Sequence, residues 1–188
     1  VIPNGVDQEF FAPNKTIEKK YDVIFTGNMS YPPNVAAVQF IANKILPVLW
    51  QKKPDCNFLI AGAEPSSTVK ALENDKIKVT GWLDDIRSGY NEGKIFLAPL
   101  NIGTGLQNKL LEAMSMEIPC ISSQLANNAL AAKKDKEILI ALEPEEYAQH
   151  VLDLLDSEEK LTVLGQEGKN FIVRNYHWEN IIVKMEEI

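Results

Sequence analysis

Residues 95–123, IFLAPLNIGTGLQNKLLEAMSMEIPCISS, decide the fold. Two apolar runs, Ile95–Leu100 and Pro119–Ser123, bracket a segment in which Leu106, Leu110, Ala113 and Met114 share one helical stripe. The runs are continuous rather than alternating. That is the pattern of strands buried on both faces, hence of a parallel sheet covered by helices.

The same alternation extends outward in both directions. Upstream lie the strand candidates Asp22–Gly27, Cys56–Gly62 and Ile77–Trp82, and downstream lies Ile138–Leu142. Between and after them, helical period is carried by Val35, Val38, Ile41, Ile45 and Leu49, and by a shorter segment with Val69 and Leu72. Asp84–Glu92 reads as one or two helical turns. Tyr147, Val151, Leu154 and Leu155 mark one late helix, and Leu161, Leu164, Gly168 and Phe171 mark the next. Repeated βα units with right-handed crossovers predict an α/β fold, a doubly wound Rossmann-like parallel sheet of about six strands with helices on both faces. Residues 1–14, with two prolines and an Asn-Gly, read as a lead-in or linker, 15–177 as the domain, and 178–188 as a separable closing segment.

The composition excludes several classes. With 188 residues and 45% hydrophobic content, one domain with a full core is expected. Twenty-six acidic against 19 basic residues give a net charge of −7, which argues against nucleic acid as a partner. No apolar run approaches the roughly 20 residues of a membrane span, and no stretch reads as a signal peptide. The start at Val1 suggests a piece of a longer chain or a processed product. Cys56 and Cys120 sit in apolar runs and read as buried thiols of a reducing compartment, not a disulfide framework. His150 and His177 are far apart, so no zinc site is expected.

Open parallel sheets bind ligands beyond the carboxyl ends of their strands. Here those ends carry Gly27-Asn28, Gly62, Gly81-Trp82 and the run from Pro99 to Gly105. Each glycine alone serves equally to make a tight turn, but four such turns in register favour a ligand site. Gly103-Thr104-Gly105 precedes a helix for which Thr104 is the expected N-cap, so amides and dipole would converge on a phosphate or diphosphate. Lys109 and Glu112 lie about 60° apart on that helix. They suit a phosphate and sugar hydroxyls, or form an exposed pair worth only about 0.3 kcal/mol. Neither GxGxxG nor a Walker-type loop is present. Asp84-Asp85 reads as a helix cap more readily than as a metal site.

Several of these segments resemble a known family. VIPNGVD at 1–7, FTGNMSYPPNVAAVQF, FLIAGAEPS, VTGWLDDI, the 95–123 stretch and YHWENI follow the order found in the C-terminal domain of GT-B glycosyltransferases of family 4. The resemblance implies one half of a two-domain enzyme that transfers a hexose from a nucleotide diphosphate sugar with retention of configuration. It implies a UDP- or GDP-sugar as substrate, no metal and no other cofactor, and a role in cell-envelope polysaccharide or glycolipid synthesis. It further implies a missing N-terminal acceptor domain, a cytoplasmic enzyme with peripheral membrane association at full length, and an isolated fragment that is inactive and prone to self-association. The closing segment 178–188 matches the helix that crosses back to the N-terminal domain.

Carried over by position, Glu112 matches the second glutamate of the family's E-x7-E motif and is expected on the donor ribose. The backbone of Gly105, Leu106 and Gln107, with Gly103, is expected near the diphosphate. Trp82 and Leu83 match the base-gripping turn, and Gly27, Asn28 and Gly62 the glycine turns near the phosphates. The first glutamate of the motif falls at Thr104. The Arg and Lys expected after the first strand are replaced by Asn28–Asn34, which holds no cation. No catalytic residue is assigned, and Lys109 is the candidate stabiliser of the leaving diphosphate. Two other readings stand beside this one. They are half of a sugar-nucleotide epimerase, and a non-catalytic Rossmann-like interaction module.

Overall fold

The computed structural model describes residues 4–103 and 105–177. Its centre is set by three strands that are apolar on both faces: β1 (Tyr21–Thr26), β2 (Phe58–Ala61) and β4 (Gly93–Ala98). Phe25 and Phe96 stack across the β1–β4 pair with ring centres 6.0 Å apart. With β3 (Ile77–Val79), β5 (Cys120–Ser122) and β6 (Leu139–Ile140) they form one sheet in the order β3-β2-β1-β4-β5-β6. Every neighbouring pair is parallel. The strand order reverses between β1 and β4. In this strand order that is the switch point where a crevice opens above the sheet.

The helices follow from capping and apolar stripes. Pro32 and Pro33 open α1 (Pro32–Phe40), where a missing N–H costs nothing. A π-helical turn, Ile41–Ile45, joins α1 to α2 (Leu46–Lys52). Val38, Ile41, Ile45 and Leu49 of this rod are fully buried, as their spacing predicts. Ser66 caps α3 (Ser67–Lys70) and Asp85 caps α4 (Ile86–Asn91), so the Asp84-Asp85 pair starts a helix. Then come α5 (Asn108–Ser115), α6 (Gln124–Leu130), α7 (Pro144–Leu155) and α8 (Glu158–Asn175). A capping box between Glu143 and Glu146 starts α7.

The structure differs from the sequence reading in several places. α5 begins at Asn108 with Gln107 as N-cap, so the helix starts too late for residue 104 to cap it. Thr104 itself lies outside the described residues, as do 178–188, on which the expected crossover helix falls. Helix α6 is an addition to the expected elements. Ser123 caps it by accepting from the amide of Ala126, and the apolar run PCISS hides that signal inside a strand pattern. β3 ends at Val79, which leaves Gly81 and Trp82 in the loop beyond it. Within the lead-in, Val6 N donates to Tyr176 O (3.1 Å) and Phe11 O accepts from Ser115 Oγ (2.8 Å), contacts that are compatible with the expected boundary. Both cysteines are free and buried, and burial pushes the Cys56 thiol up to about 12.

Candidate functional site

A cleft of about 820 Å³ opens above the switch point. That is within the size range of small-molecule sites. Its walls are the loops after β1 (Gly27, Asn28), β2 (Gly62), β3 (Trp82, Leu83) and β4 (Gly103, Gly105, Leu106, Gln107), with Lys109 and Glu112 from α5. The structure therefore brings together the described residues expected at the donor site, while Gly81 of the third turn is not on the cleft wall. Two glycines permit the close approach of the first two loops. Gly62 has φ +137°, and a Cβ there would strike the carbonyl oxygen of Gly27, itself at φ +150°. No other residue fits such contacts without strain.

Lys109 and Glu112 are half-buried, so the exposed-pair alternative does not describe them. They form no ion pair within 4.0 Å. The Lys109 ammonium lies 5.6 Å from the centre of the Phe25 ring and donates one long bond, 3.4 Å, to Gln107 Oε1. Burial lowers its pKa against the opposing pull of Glu112. Lys109 is the one cation on the cleft wall among the described residues.

Glu112 is held from below. Tyr90, fully buried on α4, donates from its hydroxyl to Glu112 Oε2 (2.6 Å) and accepts from Thr26 Oγ1 (2.6 Å). Burial raises the Glu112 pKa, while the Tyr90 bond and Lys109 pull it down. Burial and the Glu112 charge push the Tyr90 phenol well above its usual value, so it remains a donor. Sequence reading misses both Tyr90 and Thr26. No motif marks them, because their roles arise only where β1, α4 and α5 converge.

Opposite, the loop after β1 ties up its own polar groups. Asn28 Nδ2 donates to Glu64 Oε2 (3.0 Å), and Asn28 Oδ1 accepts from the amide of Ser30 (2.7 Å). Asn34 Nδ2 donates to Asn28 O (2.8 Å), which leaves Asn34 Oδ1 buried without a partner. Trp82, on the third wall, is 74% exposed, and Tyr31 on the same cleft is exposed too. No group of three or more His, Cys, Asp or Glu side chains among the described residues could hold a metal ion. No described helix is long and apolar enough to cross a membrane.

A family model, Glycosyl transferases group 1, matches residues 20–157. The chain belongs to this family. Among curated relatives of this glycosyltransferase domain is the UDP-Gal:alpha-D-GlcNAc-diphosphoundecaprenol alpha-1,3-galactosyltransferase of Escherichia coli. It is 27% identical over 212 residues, covering 100% of this chain and 52% of the relative. An uncharacterized 44.6 kDa protein in the cps region of Klebsiella pneumoniae is 23% identical over 164 residues, covering 82% of this chain and 42% of that one. The chain thus spans about half or less of the length of the curated relatives it matches. Among solved structures, many share the fold. Anabaena Alr3699/HepE, in complex with UDP and glucose, superposes with a TM-score of 0.81 at 14% identity, over 100% of this chain and 55% of that one. The C-terminal domain of the Francisella tularensis group 1 glycosyl transferase LpcC gives 0.72 at 20% identity, over 93% of this chain and 100% of that one.

Proposed function

We propose that this domain is the donor-binding half of a retaining, metal-independent GT-B glycosyltransferase of family 4, which takes a hexose from a nucleotide diphosphate sugar. The observation that carries the reading is the Lys109 ammonium, half-buried in the cleft with a single 3.4 Å bond. A half-buried cation with so few partners calls for an anion, and a diphosphate beneath the start of α5 supplies one. Helix N-termini favour such a group through their unpaired amides and dipole. The Glu112 oxygen not bonded to Tyr90 would accept the ribose hydroxyls, and Trp82 and Leu83 would meet the base.

Catalysis in this reading is stabilisation of the departing diphosphate. Negative charge grows on it as the glycosidic bond breaks. An ammonium and helix amides already in place in a half-buried cleft gain strength there, because little reorganisation is needed. With the acceptor domain absent, the chain alone binds donor and transfers nothing. HepE in complex with UDP and UDP-glucose, and the UDP-Gal named for the Escherichia coli relative, favour a uridine donor over a guanosine one. The acceptor half, a lipid or polysaccharide acceptor and peripheral membrane association belong to the same reading.

A specific observation favours the non-catalytic alternative: the loop after β1 lacks cations and ties Asn28 and Ser30 to Glu64. Calorimetry with UDP, GDP and ADP separates the two. Saturable binding of UDP in preference to ADP, weakened in Glu112→Ala, is expected. Absence of binding to any of the three would leave an interaction module.

A further inference from the structure

We infer that Tyr90 is a positioning residue for nucleotide recognition: its hydroxyl orients the Glu112 carboxylate so that one oxygen is left for the ligand's ribose diol. This rests on the reading of Glu112 given above.

Burying a phenol is costly. Tyr90 sits among aromatic rings, edge-on to Phe11 at 6.2 Å and tilted against Phe96 at 5.9 Å. Phenylalanine would fill that space equally well. A buried hydroxyl is unfavourable unless it is bonded, and this one makes two bonds of 2.6 Å. Their direction is fixed by chemistry. An ionised carboxylate only accepts, so the phenolic proton goes to Glu112 Oε2, and Thr26 Oγ1 must donate to the phenolic oxygen. The relay thus runs from the last residue of β1 through α4 to α5. It holds Oε2 and leaves Oε1 without a partner among the described residues. Glu112 itself lines the cleft, which puts a ligand within reach of that oxygen.

Two consequences separate positioning from packing. A fixed Oε1 matters only to a ligand that carries hydroxyls. The Tyr90 bond also favours the ionised form of Glu112, so removing it raises the pH needed to keep that carboxylate charged.

The test is calorimetry on the 188-residue chain with two probes, UDP and 2′,3′-dideoxy-UDP, across pH. The wild type is expected to prefer UDP. Tyr90→Phe is expected to lose about tenfold in UDP affinity, as for a bond to a charged group. Its affinity for dideoxy-UDP should stay the same, and the pH midpoint of the preference should move up. A folded Tyr90→Phe with the wild-type preference and midpoint overturns the inference. If Tyr90→Phe does not fold, Thr26→Val, which removes the other end of the relay, is judged by the same two readouts. Wild-type binding of both probes with equal affinity overturns the role of Glu112 and this inference, while the diphosphate reading of Lys109 survives. No binding of either probe overturns the donor reading itself, and the inference with it.

Discussion

Lys109 places its ammonium 5.6 Å from the centre of the Phe25 ring, on the penultimate residue of β1, and not against Glu112 three residues along its own helix. The pairing that helical spacing alone would favour is therefore not made. The ring face offers a cation about 0.5–2 kcal/mol, less than full hydration would. The charge is thus kept near the cleft and incompletely solvated.

Lys109→Met tests this arrangement. An ordinary core lysine tail would be neutral to ligand and costly to stability. Here UDP affinity should fall at least about tenfold, as expected for loss of a charge-assisted bond. The melting temperature should stay level or rise, because a poorly solvated charge is removed. Calorimetry and thermal unfolding measured together decide it.

Glu112 gives a pH prediction with a definite sign. Its folded pKa is raised above 4.5, chiefly by burial. Between the unfolded and the folded value, the folded state therefore holds a proton that the unfolded state has released. The stability this contributes is fully present below 4.5 and is lost as pH rises through the folded value. Glu112→Gln does not titrate. Denaturant unfolding from about pH 4 to 8 should show the wild type losing stability relative to Glu112→Gln as pH rises through that window.

Gly62→Ala should destabilise the domain by at least about 2 kcal/mol. A positive φ on a residue with a side chain costs about 1–3 kcal/mol, and the added Cβ would meet the Gly27 carbonyl as well. Urea unfolding measures the loss. A variant as stable as the wild type would mean that the loops after β1 and β2 do not abut.

Trp82→Ala separates recognition from folding. At 74% exposure its removal should change stability by less than about 0.5 kcal/mol. If Trp82 meets the base, UDP affinity should fall while that of pyrophosphate does not. Competition between UDP and pyrophosphate reads this directly.

Much of the fold is legible because a parallel sheet leaves a coarse signature. Continuous apolar runs such as FLIA and IFLA hardly read otherwise once glycine turns follow them. Strand ends are less legible. Burial on both faces gives no alternation to mark the boundary, so the pattern carries Trp82 into a strand and conceals α6. The cleft walls emerge from loop glycines, which announce close approach. The polar relay beneath does not emerge. A tyrosine in SGYNEG and a threonine at the end of DVIFT look like ordinary core residues until the sheet brings them within 2.6 Å of each other. The N-cap expected at residue 104 fails for a local reason: the helix starts four residues later, and its cap, Gln107, bonds the amide through no side chain.

The most direct test is a crystal structure of this chain with UDP bound. The account predicts the diphosphate within hydrogen-bonding distance of Lys109 Nζ at the start of α5, and the ribose hydroxyls on Glu112. UDP seated elsewhere, or Lys109 still over Phe25 with no phosphate near it, would contradict it.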